Sequence, residues 1–431
     1  MPATTSAPPS AAQPHADTEI VMLIGNTRGP VVAGDGLNSG LLRRFYARHG
    51  FEPIWATRQA QADALVDAVL HAGDHGLDPE LFHADRLRQA ASLSPLEREL
   101  LLSDAFLKYA DALARGAIPA ERRADDEVLV PGPIDVAAAL DAAIESPDPA
   151  AAIEALAPTT PTYQALRQAL PSYRLDAAAG DRAAKNRLRQ IEVNLERQRW
   201  LPRRLPADRV WVNAADEKLV LYLADQPVFT TRVIVGQDVR QNQTPEFRVM
   251  TDGILFNPPW NIPEDIATDE ILPKVSRDPD YLTRHNMVMQ PNGLLQQLPG
   301  PDAALGRLKF EMDNRFGVYL HDTPDKNLFN RDDRRISHGC IRVQNPRELA
   351  ALLMQQPIDK IDQDIATGET TRINLPAPVP VFVVYQTAFV DTDGKLQFRP
   401  DVYGRDADIW APLNSTPQPV AEHEPPGEPS G

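Results

Sequence analysis

After Pro202 the hydrophobic repeat changes from the helical period to the strand period, which confines the chain to a helical part and a separate β part. From about Leu37 to Tyr173, apolar residues recur three and four positions apart in short stretches. "LNSGLLRRFYARHG" stops at Gly50, and "TRQAQADALVDAVLHAGDHG" places Leu65, Val66, Val69 and Leu70 on one face. "SPLERELLLSDAFLKYADALARG" opens with a Ser94-x-x-Glu97 capping box. Trp55 in "GFEPIW" reads as a packing anchor. "AAKNRLRQIEVNLERQRWLP" adds a helix with Leu188, Ile191 and Leu195 on one face. Beyond it, "DRVWVNAADEKLVLYLADQPVFTTRVIVG" reads as consecutive strands with "NAADEK" and "ADQ" as turns, and Asp393-Gly394 marks a later hairpin. The expected fold class is α+β, with a helical domain over 35–175 and a β-dominated domain over 186–410. Residues 1–34 (Pro/Ala-rich) and 411–431 (Pro-rich) read as disordered tails. Between Ile262 and Leu308 the periodicity is weak and prolines recur, the pattern of an insert that caps a site.

Composition narrows the function. A formal charge of −16 over 431 residues argues against a nucleic-acid binder, although Arg331, Arg334, Arg335 and Arg342 could form a local basic patch. The 41 prolines are about twice the usual ~5 %, so the loops are stiffened by fixed φ. No stretch approaches the ~20 apolar residues of a transmembrane helix. The N-terminus has neither the charged nor the apolar region of a signal peptide. Two readings stay open: a cytoplasmic protein, or an exported one whose signal lies outside this sequence.

Cys340 is the only cysteine, in "RRISHGCIRV". It is either a small buried hydrophobe or a nucleophile, since HGC lacks the spacing of a metal site and a lone thiol makes no internal disulfide. A nucleophilic thiol needs a base or a positive environment to lower a pKa that starts near ~8.5. His338, two residues away on an extended strand, would run alongside the sulfur. A base on a neighbouring strand approaches it directly, which favours His321 at the end of "GVYLH". Gly339 would let backbone N–H groups face an oxyanion. "NPRELAALLMQQ" then starts a helix, with Asn345 as N-cap and Glu348 closing a capping box.

"YLHDTPDKNLFNRDDRRISHGCIRV" resembles the catalytic signature of the L,D-transpeptidases, the YkuD-type domain. "IEVNLERQRWLP", "VIVGQDVRQNQTPEF", "FNPPWNIP" and "YLHDTP" extend the resemblance to a large periplasmic branch with a helical scaffold domain and a substrate-capping insert. The resemblance implies a β-dominated catalytic domain with Cys340 as nucleophile and His321 as base. The Asp322 carbonyl would orient the imidazole, and the Gly339 and Cys340 N–H groups would meet the oxyanion. Tyr319, Arg342, His338, Ser337, Trp260 and Arg335 would face the substrate, with His338 a structural member of the motif. It implies no metal and no cofactor. The partners would be peptidoglycan stem peptides and glycan strands, with carbapenems as inhibitors.

"YRLDAAAGDRAAKNRLRQIEVNLER" leaves no room for the peptidoglycan-binding module found in many members of the branch. Module-lacking relatives point towards 1-3 rather than 3-3 cross-links. Two other readings are a cysteine carboxypeptidase or hydrolase of stem peptides, and a non-catalytic wall-binding protein.

Overall fold

The computed structural model describes residues 16–25 and 30–414, which fall into two compact units. The first takes in the chain up to Pro119, Pro131–Arg203 and the stretch from Ala407; the second is Ala120–Val130 with Arg204–Asp406. The fold is α+β, as the change of period predicts.

The helical unit is built around Pro95–Arg115, a 21-residue helix buried over most of its length. It starts where Ser94 and Glu97 form the expected capping box. Buried Glu99 and Trp55 of this unit both find partners. The Glu99 carboxylate accepts from the Tyr46 hydroxyl (2.9 Å) and from the backbone N–H groups of Ile54 (2.8 Å) and Trp55 (3.1 Å). The Trp55 indole, buried as its anchor role predicts, donates to Ser103 Oγ at 2.8 Å.

Three features differ from the sequence reading. Ala16–Gly25, read as disordered tail, is an α-helix, because its Glu-Ile-Val-Met-Leu-Ile run can bury Ile20 and Ile24. The expected C-terminal tail from 411 likewise begins inside the helix Arg405–Leu413, while residues 1–15, 26–29 and 415–431 of the expected tails lie outside the described residues. The helix Arg182–Arg199 belongs to the helical unit, not to the β domain. Its Ile191 and Leu195 are buried against Pro161–Ala178 and Pro95–Arg115, the surfaces that match an apolar helix stripe. Ala120–Val130 instead joins the β unit, where Val128 N–H donates to the Glu246 carbonyl (3.0 Å) and Glu246 N–H to that of Asp126 (2.7 Å).

The main sheet of the β unit has nine strands: β1 (Arg209–Asn213), β2 (Lys218–Leu223), β3 (Gln226–Gly236), β4 (Phe247–Phe256), β5 (Leu308–Met312), β6 (Leu320–His321), β7 (Arg335–Ser337), β8 (Ile341–Val343) and β9 (Thr371–Val384). They pair in the order β7-β3-β8-β6-β5-β4-β9-β1-β2, and β2 pairs back with β3. All but β7 therefore form a continuous ring of ladders, which leaves no free edge among them. The β2–β3 turn has Ala224 and Asp225 at φ 49° and 62°, the two left-handed residues of a tight hairpin. Val210, Leu219, Ile254, Phe310, Leu320 and Ile341 are among the residues that fill the core.

The helix Pro346–Met354 follows β8, but no Asn345 capping bond forms. The Asn345 amide oxygen instead accepts the Thr231 hydroxyl (2.9 Å) from β3, a competitor invisible in the local sequence.

The segment between β4 and β5 is an insertion into a hairpin. The two strands are antiparallel with Phe256 opposite Leu308, and Asn257 N–H donates to the Arg307 carbonyl at 2.9 Å, so the insert leaves and returns at one point. It has its own cluster of Ile262, Ala267, Ile271, Met287 and Leu295, with Trp260 packed against it. Its three strands (Trp260–Asn261, Met287–Met289, Leu295–Gln297) are two or three residues long, too short to produce a periodic signal. Its helical part widens to a π turn over Ala267–Ile271 just before Pro273, which has no N–H to give the Asp269 carbonyl.

Candidate active site

Register builds the site. β6 and β8 run parallel with Leu320 opposite Ile341 and His321 opposite Arg342. Leu320 and Ile341 point into the core, so alternation puts Tyr319, His321, Cys340 and Arg342 together on the other face. Lys309 on β5 lies opposite His321 and joins them. The Tyr319 and His321 rings meet edge-on with centroids 5.5 Å apart.

His321 is 4 % exposed, and its Nδ1 lies 2.6 Å from the Asp322 carbonyl oxygen. A carbonyl only accepts, so Nδ1 carries the proton and Nε2 keeps the lone pair. Burial, reinforced by Arg342, pushes the imidazole pKa down to about 3, so the ring is neutral near pH 7. The Asp322 carboxylate braces this turn: Oδ2 accepts Arg307 N–H (2.8 Å), and Oδ1 accepts Thr323 N–H (2.7 Å) and Lys326 Nζ (2.6 Å). Gly306 faces it at φ +60°, and a Cβ there would lie 2.4 Å from the Asp322 carboxyl.

The thiol differs from the sequence expectation. Burial raises the Cys340 pKa, and this outweighs the opposing pull of the Tyr319 backbone and hydroxyl and of Lys309 and Arg342. Among the described residues Sγ bonds the Gly317 carbonyl (3.8 Å) rather than His321. The resting pair is therefore neutral thiol and neutral imidazole, not an activated thiolate. Removing water from the sulfur costs the anion more than two nearby cations return.

Gly339 has φ +107°, the left-handed conformation that glycine tolerates. Its N–H is not aimed outward as expected. It donates to Ser337 Oγ (3.2 Å), whose own proton goes to the Cys340 carbonyl (2.6 Å). The Gly339 carbonyl accepts from Thr244 Oγ1 (2.9 Å). The Cys340 N–H is left without a hydrogen bond among the described residues.

The expected arginine patch does not form. Arg334 is buried and binds Glu217 and backbone carbonyls, while Arg335 is held by Asp333 (2.7 and 2.9 Å) and Asp238. Charges this close pair with neighbouring carboxylates before they gather around a thiol. Arg342 remains, with its Nε buried and without a hydrogen bond. His338 is exposed and turned away, Nε2 lying 2.7 Å from Glu270 of the insert. The half-buried Trp260 of the insert acts on the Tyr319 hydroxyl, offsetting part of the rise that burial gives its pKa, which brings the insert to the thiol's neighbour.

Comparison with known proteins identifies the two domains. Residues 207–381 match the YkuD model, the L,D-transpeptidase catalytic domain, and residues 40–170 match the Scaffold domain model. This chain carries an L,D-transpeptidase catalytic domain. A curated Haemophilus influenzae protein named "Putative L,D-transpeptidase" is 28% identical over 396 residues, covering 86% of this chain and 78% of the relative. A solved structure, "Structure of the Ldtfm-avibactam carbamoyl enzyme", shares 13% identity over 42% of this chain and 49% of that one, with a TM-score of 0.22 that bears on neither fold nor chemistry.

Beside the thiol of the L,D-transpeptidase domain opens a cleft of about 860 Å³, lined among others by Gly317, Tyr319, Lys309, Met250 and Arg372. Sequence reasoning missed Lys309, Gly317 and Glu270. The one available signal was alternation in "LKFEM", which puts Lys309 and Glu311 on a common face without saying which.

Proposed function

We propose that this protein cross-links peptidoglycan stem peptides through a Cys340 thioester. The observation that carries the reading is the common face of β6 and β8, where Cys340, Tyr319 and a His321 of fixed tautomer lie together.

Nε2 of His321 is the available base. Moving a proton from a thiol with a raised pKa to an imidazole with a pKa of about 3 is uphill, so free thiolate does not accumulate. The S–H proton moves to Nε2 as sulfur bonds to the donor carbonyl. The Cys340 N–H and the Tyr319 hydroxyl, kept protonated by burial, are the donors placed to meet the oxyanion; the Gly339 N–H is engaged by Ser337. Collapse expels the C-terminal part of the donor stem as an amine, which takes the proton from His321. The diaminopimelate ε-amine of a second stem then attacks the thioester, and the thiol is regenerated.

Aminolysis must outpace hydrolysis, and the insert, held to the motif through His338 and Glu270, would limit water. The helix Arg182–Arg199 is followed by β1 at Arg209, which leaves no space for a further module between them and favours the 1-3 linkage of module-lacking relatives. The substrate places the reaction in the periplasm. Among the described residues no helix is long and apolar enough to cross a membrane.

Incubation with disaccharide-peptides tests the reading by product mass. Cross-linked dimers from the wild type and none from Cys340→Ala are expected. Trimmed monomers alone would assign a hydrolase, and dimers from Cys340→Ala would remove the cysteine from the chemistry.

A further inference from the structure

Cations near the thiol differ in whether they are already satisfied. Arg334 and Arg335 are held by Glu217 and Asp333. Lys309 makes no ion pair among the described residues, although acidic side chains line the same cleft. Glu311, two positions along the same strand face, is taken by Arg372, which also binds Asp252 at 2.8 Å. Lys309 lies over the Tyr319 ring instead, its Nζ 4.2 Å from the ring centroid. An ammonium resting on an aromatic face has lost part of its hydration and keeps donors free. Its strand register with His321 aims it at the reactive face, and it lines the cleft while Arg342 does not. The cleft is of ligand size, with Val249, Met250, Met312 and Pro378 as apolar wall.

We propose that Lys309 binds a carboxylate of the stem peptide at the Cys340 end of the cleft, an assignment that rests on the transpeptidase reading. An extended peptide anchored there through its acid group has its backbone held in one register against the sulfur. Lys309 is then a specificity residue: it selects donors with a free carboxylate over those in which that group is an amide. Leaving it unpaired in the free protein avoids breaking an internal salt bridge on binding.

The test separates binding from chemistry by using Cys340→Ala protein, which cannot acylate. Calorimetry compares a diaminopimelate-bearing stem tetrapeptide with its side-chain carboxamide. The free acid should bind about tenfold tighter, the size of one charge-assisted hydrogen bond. In Cys340→Ala with Lys309→Met the ratio should fall to about one, and Lys309→Arg should restore most of it. The ratio is internal to each protein, so lost stability does not imitate the effect; if Lys309→Met fails to fold, Lys309→Gln is read instead. An unchanged ratio overturns the proposal. So does an unchanged ratio accompanied by a shifted pH midpoint for Cys340 alkylation in Lys309→Met protein, which would assign the lysine to the field around the thiol. Failure of cross-linking by the wild type would leave the binding ratio readable, so the two readings fail separately.

Discussion

His338 Nε2 and Glu270 Oε1 stand 2.7 Å apart, joining the residue two positions before Cys340 to the π turn of the insert. The contact is surface-exposed, so its worth lies in where it holds the insert rather than in stability.

Glu270→Gln is therefore expected to leave the melting temperature nearly unchanged, with a stability change of about 0–1 kcal/mol, while raising hydrolysis relative to cross-linking. Shortening the insert should act in the same direction and more strongly. Mass analysis of muropeptide products reads the partition, and an unaltered ratio of dimer to trimmed monomer in both folded variants would show that the insert does not control water.

His321→Ala should abolish acyl-enzyme formation, because among the described residues it removes the only imidazole on the face of Cys340. His338→Ala should retain part of it, since that ring points to Glu270. Intact-mass kinetics of acylation distinguish them. Complete loss in His338→Ala with activity kept in His321→Ala would reverse the assignment.

Iodoacetamide should alkylate the resting protein with a pH midpoint above that of free cysteine, since burial raises the Cys340 pKa. Tyr319→Phe should move the midpoint higher still, because the hydroxyl stabilises the thiolate. The sign is the test: a midpoint below that of free cysteine, or a downward move in Tyr319→Phe, would contradict the neutral resting pair.

Stability should fall in acid partly through His75 in the helical unit, which is fully buried with its pKa lowered from 6.5 to about 3 by desolvation and by Arg167 and Arg199. The unfolded chain binds a proton there that the folded one refuses. The contribution is fully present above about pH 6.5 and declines by about 1.4 kcal/mol per pH unit as pH falls towards 3. In urea titrations at pH 7, 6, 5 and 4, the gap between wild type and His75→Gln should narrow with acid. A constant gap would remove His75 from the acid response.

A carbapenem should add once per chain, because Cys340 is the only thiol. Relief of ring strain makes acylation less dependent on a preformed thiolate, and the adduct stays on sulfur. Cys340→Ser should carry little adduct, as a serine hydroxyl beside a neutral histidine is a far weaker nucleophile. Absence of adduct in wild type that iodoacetamide still labels would mean that the insert excludes bulky rings.

What the sequence by itself determined was carried by neighbours along the chain. Ser94 and Glu97 close their capping box, the alternation in "DRVWVNAADEKLVLYLADQPVFTT" becomes a meander, and the paired motifs of His321 and Cys340 are recognisable as they stand. Each depends on backbone geometry over a few residues, which the residue types dictate. The tertiary structure decided what depends on distant partners. It placed the helix Arg182–Arg199 with other helices, gave the Asn345 amide to Thr231, and turned the Gly339 N–H onto Ser337. It also reversed the expected direction of the thiol pKa, because desolvation of the half-buried Cys340 depends on what packs around it and exceeds what Lys309 and Arg342 contribute. Register between strands brought Lys309 beside Tyr319, and register is a property of pairing that no single strand carries.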